Sequence, residues 1–137
     1  MNITPENIQE LQENEVFVFG SNVAGIHGAG AARLAYEKFG AILGQGYGWN
    51  YKSFAIPTKD KSVKTLPLEV IQVYIQGFEA FAIANFMLTF YVTEIGCGLA
   101  RYTPDQIAPL FKSSYQLPNV YMPKRFWEIY QTLTKRL

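Results

Sequence analysis

Apolar and polar positions alternate along the chain between short solid runs and helical spacing. "EVFVFG" (15–20) is a solid run ended by glycine and predicts a buried strand, and "KSFAIP" (52–57) predicts a second. "MLTFYVT" (87–93) is almost wholly apolar, as a central parallel strand would be, and "NVYMP" (119–123) predicts a short one. Between the second and third runs, apolar residues fall at 70, 71, 74, 75, 78, 81 and 82, which predicts the longest helix over 68–85. "GAARLAYEKF" (30–39) predicts a small helix with Leu34 and Tyr36 facing inward and Gly40 just past its end. Thr4-Pro5 and Thr103-Pro104 each offer a capping hydroxyl followed by proline, predicting helices through about Leu11 and about Lys112. "KRFWEIYQTLTKRL" (124–137) predicts a terminal helix packed through Phe126, Trp127, Ile129, Tyr130 and Leu133. The segment "AILGQGYGWN" (41–50) is glycine-rich and predicts irregular backbone.

Strands and helices in alternation predict an α/β layer fold with a mainly parallel sheet. In such folds ligands sit beyond the carboxyl ends of the strands. Three strands here run into unusual loops there: "GSNVAGIHGAG", "PTKDKSVK" and "EIGCGLARY".

Composition narrows the class. The chain has 137 residues, enough for a single domain over 1–137 with a real core. Hydrophobic residues make up 49%, which suits a dense core, and the net charge of +1 offers no strong electrostatic hold on nucleic acid or acidic membranes. One cysteine, Cys97, makes no internal disulfide and no cysteine-based zinc site, which fits a reducing compartment. The polar N-terminus lacks an apolar signal core, and no stretch approaches the roughly 20 apolar residues of a membrane span. The expectation is a soluble, cytoplasmic protein without a metal or a resident cofactor.

The first loop carries Gly25, Gly28 and Gly30 and leads straight into a helix. Glycines let backbone approach a ligand closely, and helix N-terminal N–H groups attract phosphate. Tight helix–strand packing is the alternative, because the spacing is neither the dinucleotide nor the P-loop pattern. The loop Ile95-Gly96-Cys97-Gly98-Leu99 follows an apolar strand and precedes a capped helix. Two such loops at one sheet edge can grip a diphosphate from both sides. Cys97 is a nucleophile only beside a cation or a base such as His27, and otherwise a small buried residue.

These residues, in the order "VFVFGSN", "HGAGAARLA", "AIPTKD", "VTEIGCGL", "TPDQIAPLF", "VYMP", resemble the macrodomains, which bind ADP-ribose. The resemblance runs over roughly residues 15 to 123. It is strongest to small bacterial and phage macro-like proteins and to the terminal ADP-ribose protein glycohydrolase branch. It implies a three-layer α/β/α fold with a mixed, mainly parallel sheet. It also implies a cleft in which Gly28, Ala29 and Gly30 on one side, and Ile95 to Leu99 on the other, hold the diphosphate. Asn22 would then sit near the distal ribose, with Gly20 and Ser21 also among the ligand-binding residues.

Asn22 either reads sugar hydroxyls or closes an Asx-turn on its own backbone. His27 either contacts a phosphate or acts as an acid–base group near neutral pH, or it is a solvated loop residue. Tyr47, Trp49 and Tyr51 offer an aromatic cover for a nucleoside, with core packing as the alternative. Lys59 matches the glycohydrolase lysine that attacks the anomeric carbon; otherwise it is a phosphate clamp or a solvated side chain. The branch has an aspartate directly after "IGCGL", and this chain has Ala100, with Asp60 and Glu94 the nearest carboxylates. Two functions follow: binding of ADP-ribose or a related NAD-derived nucleotide with slow hydrolysis at best, or an active ADP-ribosyl-ester glycohydrolase using Lys59, His27 or both. An ADP-ribosylated macromolecule is the further partner the resemblance implies.

Overall fold

The computed structural model describes residues 1–135. Five strands, β1 (Glu15–Asn22), β2 (Gly48–Asn50), β3 (Ser53–Lys59), β4 (Thr89–Val92) and β5 (Val120–Tyr121), form one sheet in the order β2-β3-β1-β4-β5. β1 pairs in parallel with β3 and β4, and β4 with β5; only β2 is antiparallel, to β3. The helices are α1 (Gly30–Lys38), α2 (Leu68–Ala84), α3 (Pro104–Ile107) and α4 (Lys124–Thr134).

Alternation along β1 divides the core. Val16 and Val18 point to one face, where Ile71, Ile75 and Phe78 of α2, Ile107 of α3 and Phe126 of α4 cover them. Phe17 and Phe19 point to the other, against Ala35 of α1 and Phe39 just past its end. Helices therefore cover both faces, giving a three-layer α/β/α arrangement. The capping box at Thr103 and Gln106 forms, and a 3₁₀ turn (Ala108–Leu110) continues α3.

Several expectations change. Residues 4–11 are not helical. The Thr4 hydroxyl donates to the Val92 carbonyl at 2.7 Å rather than capping a helix, and Asn7 adopts a left-handed φ of +53°. The segment instead runs beside β5 through an Ile3–Met122 bridge and buries Ile8 and Leu11 partly against the α1 face. In α1, Leu34 packs inward as expected but Tyr36 is 50% exposed, because the face toward the sheet is made of Ala31, Ala32, Leu34 and Ala35, with Phe39 just past the helix end. Small residues there let the helix lie close to Phe17 and Phe19. The segment 41–50 contains β2, an edge strand that the sequence pattern concealed. The third strand is shorter than 87–93: the Asn119 amide donates to the carbonyls of Ala82, Asn85 and Leu88 and ties residues 85–88 into a turn, leaving Met87 outside. In α4, Phe126 and Trp127 are buried, while Leu133 stays exposed. Arg136 and Leu137, the end of the expected terminal helix, lie outside the described residues. No helix among the described residues is long and apolar enough to cross a membrane.

Candidate functional site

The carboxyl ends of β1, β3 and β4 lie together because all three strands run the same way. Asn22 is in register with Lys59, and Thr93 donates from its backbone N–H and its hydroxyl to the Val18 carbonyl at 3.1 and 2.8 Å. The chain passes from β1 to β3 on one side and later returns to β4 on the other. Strand order thus reverses at β1, where a crevice opens.

A cavity of about 520 Å³ occupies this crevice. Its first wall is the β1–α1 loop and the opening turn of α1, including Gly28, Ala29 and Gly30. Its second is the β4–α3 loop, with Ile95, Gly96, Gly98 and Leu99. Thr58, Lys59 and Val63 contribute from the end of β3 and the loop beyond it. Gly20, Ser21 and Asn22 also line it, so the two glycine loops expected from the sequence do face one space.

The backbone there is shaped for close approach. A Cβ placed on Gly28, Gly30 or Gly98 would meet no atom within 4 Å. Gly30 has φ +58° and opens α1; Gly96 has φ +79°, and a side chain on it would strike Ile107. α1 has no acidic residue in its first turn and no side chain capping it. Its first N–H groups therefore lack a partner among the described residues and carry the positive end of the helix dipole.

A second cavity of about 520 Å³ adjoins the first and shares Gly30, Ala31, Thr93 and Glu94 with it. Its walls are the N-terminal segment (Pro5, Ile8), Phe17, Leu34 and the start of α4. Glu94 stands where the two meet and is held by Arg125, whose Nε and Nη2 donate to its two carboxylate oxygens at 2.7 and 2.6 Å. A bidentate pair of this kind masks the carboxylate from an incoming anion. Sequence reasoning missed Arg125 and this second cavity; residues 31 positions apart gave no local signal.

Other expected residues lie elsewhere. His27 is 5% exposed and does not line the cleft. Its Nε2 lies 3.0 Å from the Ile42 carbonyl, to which it donates, and its ring meets Phe19 nearly edge-on at 5.4 Å. Its Nδ1 is buried without a partner among the described residues. The ring anchors the glycine loop to the α1 face, so His27 is buried rather than solvated and lies off the cleft lining. Asn22 closes its own loop: its amide donates to the Ile26 carbonyl at 2.8 Å, and its Oδ1 accepts from the Ile26 N–H at 3.0 Å. The Ser21 hydroxyl donates to the Gly46 carbonyl. Tyr47 packs against Phe54 and Tyr74, and Trp49 against Phe81. Tyr51 lies against Gly40, and these three aromatics line neither cavity.

Lys59 lines the cleft and makes no ion pair among the described residues. Both nearby carboxylates already have partners. Asp60 Oδ1 accepts the N–H groups of Ser62 and Lys64, which folds the loop, and Glu94 is bound to Arg125. Ala100 is 6% exposed on the cleft wall. An aspartate there would be partly desolvated, a larger cost than its loop position implies from sequence.

Cys97 does not line the cleft and packs half-buried beside the larger core cluster. Burial, reinforced by the Glu94 carboxylate and only partly offset by Arg125, pushes its thiol up to about 11. The thiolate is the reactive form, so alkylation by iodoacetamide should be slow at neutral pH and climb about tenfold per pH unit. It should not level off until the pH nears the thiol's own value. A rate plateau near neutral pH would instead reveal a stabilised thiolate and return Cys97 to the list of nucleophiles.

No family model, no curated protein and no solved structure matches the chain.

Proposed function

We propose that the protein binds ADP-ribose or a related NAD-derived nucleotide, with the diphosphate between the two glycine loops, and that it hydrolyses ADP-ribosyl esters slowly at best. One observation carries this reading. A single cavity is bounded by the uncapped N-terminus of α1 and by the Gly96–Gly98 loop, with three glycines presenting bare backbone to open space. Unsatisfied N–H groups and a dipole end favour an anion. Lys59 adds positive charge, and Arg125 removes the repulsion that Glu94 would otherwise exert. The adjoining cavity, with Phe17, Leu34 and Ile8 on its walls, suits a nucleobase at one end of the diphosphate. The distal ribose then lies toward Lys59. An ADP-ribose still attached to a macromolecule is the corresponding larger partner.

A valine at Gly98 tests the grip. Gly98 does not have a left-handed φ and its Cβ would meet nothing, so Gly98→Val should leave the fold intact. By calorimetry, its affinity for ADP-ribose should fall more than about tenfold, or ~1.4 kcal/mol. A folded variant that binds as tightly as wild type would mean that the phosphates are held elsewhere.

The hydrolase reading is favoured by Lys59 alone, which lines the cleft without a counter-charge. An amine must lose its proton to attack an anomeric carbon, and a positioned acid–base partner is typically worth about 10²–10⁴ in rate. With Asp60 and Glu94 engaged elsewhere and alanine at 100, wild type should release ester-linked ADP-ribose slowly. Ala100→Asp should raise that rate by about tenfold or more, provided thermal melting shows the variant folded, and Lys59→Ala should abolish the gain. Brisk wild-type turnover that survives Lys59→Ala would assign the chemistry to other residues. A folded Ala100→Asp variant that binds ligand yet gains nothing would make Lys59 a phosphate clamp.

A further inference from the structure

Three aliphatic side chains line the cleft, one from each loop: Ile26 after β1, whose backbone is bonded to Asn22 in register with Lys59; Val63 after β3, four residues beyond Lys59; and Leu99 after β4, next to Ala100, whose carbonyl accepts from the hydroxyl of Thr65 beside Lys59. They are 57%, 56% and 69% exposed. Single exposed aliphatics are ordinary on a protein surface, but three from separate loops around one cavity make a patch with a place to act. Val63 is held there against its preference. It is β-branched and has a φ of +64°, a conformation that glycine or asparagine adopts far more readily. The loop enforces it: the Asp60 N–H donates to the Lys64 carbonyl at 2.7 Å, and the Val63 N–H donates to the Asp60 carbonyl at 3.0 Å. Backbone strain of this sort gathers where side chains serve a ligand.

The polar groups near Lys59 are already engaged. The Asn22 amide is closed on the Ile26 backbone, the Ser21 hydroxyl on Gly46 and the Thr58 hydroxyl on the Ser21 carbonyl. Each of these groups has spent a donor inside the protein, which leaves it less hydrogen-bonding capacity for the hydroxyls of a bare sugar. What the three loops add there is hydrocarbon and the Lys59 ammonium.

We propose that Ile26, Val63 and Leu99 form an apolar rim selecting a ligand whose distal ribose carries a neutral apolar substituent. This rests on the reading of the cleft as an ADP-ribose site. Burial of the substituent against the rim takes apolar surface of both out of water. Lys59 disfavours a cationic group at the same place, such as the pyridinium of NAD.

Calorimetry with three probes tests this: ADP-ribose, its 1″-O-phenyl glycoside and NAD. Wild type should bind the phenyl glycoside about tenfold or more tighter than ADP-ribose, and should bind NAD no tighter than ADP-ribose. In the triple variant Ile26→Ser, Val63→Asn, Leu99→Ser, the ratio of phenyl glycoside to ADP-ribose affinity should fall to near one. The single variant Leu99→Ser should lower the same ratio, and serves if the triple variant does not fold. Binding of ADP-ribose with no gain from the phenyl group, a gain that survives the substitutions, or an equal gain from the pyridinium would overturn the rim while leaving the ADP-ribose site standing. Failure of ADP-ribose itself to bind would overturn both.

Discussion

Parallel pairing of β1 with a neighbour on each side determines where everything else lies. Parallel strands cannot be joined by a tight turn, so each connection must cross a face of the sheet and return. Those crossovers supply α1 on one face and α2 on the other. They also leave the carboxyl ends of β1, β3 and β4 at one edge, where each releases a loop. Because β3 and β4 flank β1 on opposite sides, the loops diverge and leave a crevice between them. Its position follows from the topology; its chemistry follows from what the loops contain.

Small residues perform two tasks in that crevice. Alanines on α1 bring the helix close to the sheet, so its N-terminus opens at the strand ends rather than above them. Glycines at 28, 30 and 98 then keep side chains out of the space in front of the unsatisfied N–H groups. His27 serves the same arrangement from behind, through its bond to Ile42 and its contact with Phe19. The charged residues complete it: Lys59 faces the cleft, and Glu94, which would repel an anion, is paired with Arg125.

Features written in local pattern were legible in the sequence. β1 and α2 follow from apolar spacing, and the opening of α3 from Thr103-Pro104. The same dipeptide type misled at Thr4-Pro5, because the Thr4 hydroxyl finds a carbonyl 88 residues away on β4. A cap competes with tertiary partners, and only the fold decides between them. The glycine loops were legible as a facing pair because glycine reports on backbone directly. Side-chain destinations were not. His27 turns inward, Asn22 closes on its own loop, and the aromatics at 47, 49 and 51 pack at the β2 side of the sheet or beside α1, away from the cleft. The rim of Ile26, Val63 and Leu99 was hidden for the same reason: three isolated aliphatics in three polar loops form a group only once the strands align.

A crystal structure with ADP-ribose bound tests the central claim most directly. The account predicts diphosphate oxygens within hydrogen-bonding distance of the first N–H groups of α1 on one side and of the backbone of residues 96–99 on the other. The adenine should lie in the cavity beside Phe17 and Leu34, and the distal ribose beside Lys59. A nucleotide bound with its phosphates away from both glycine loops would contradict the account.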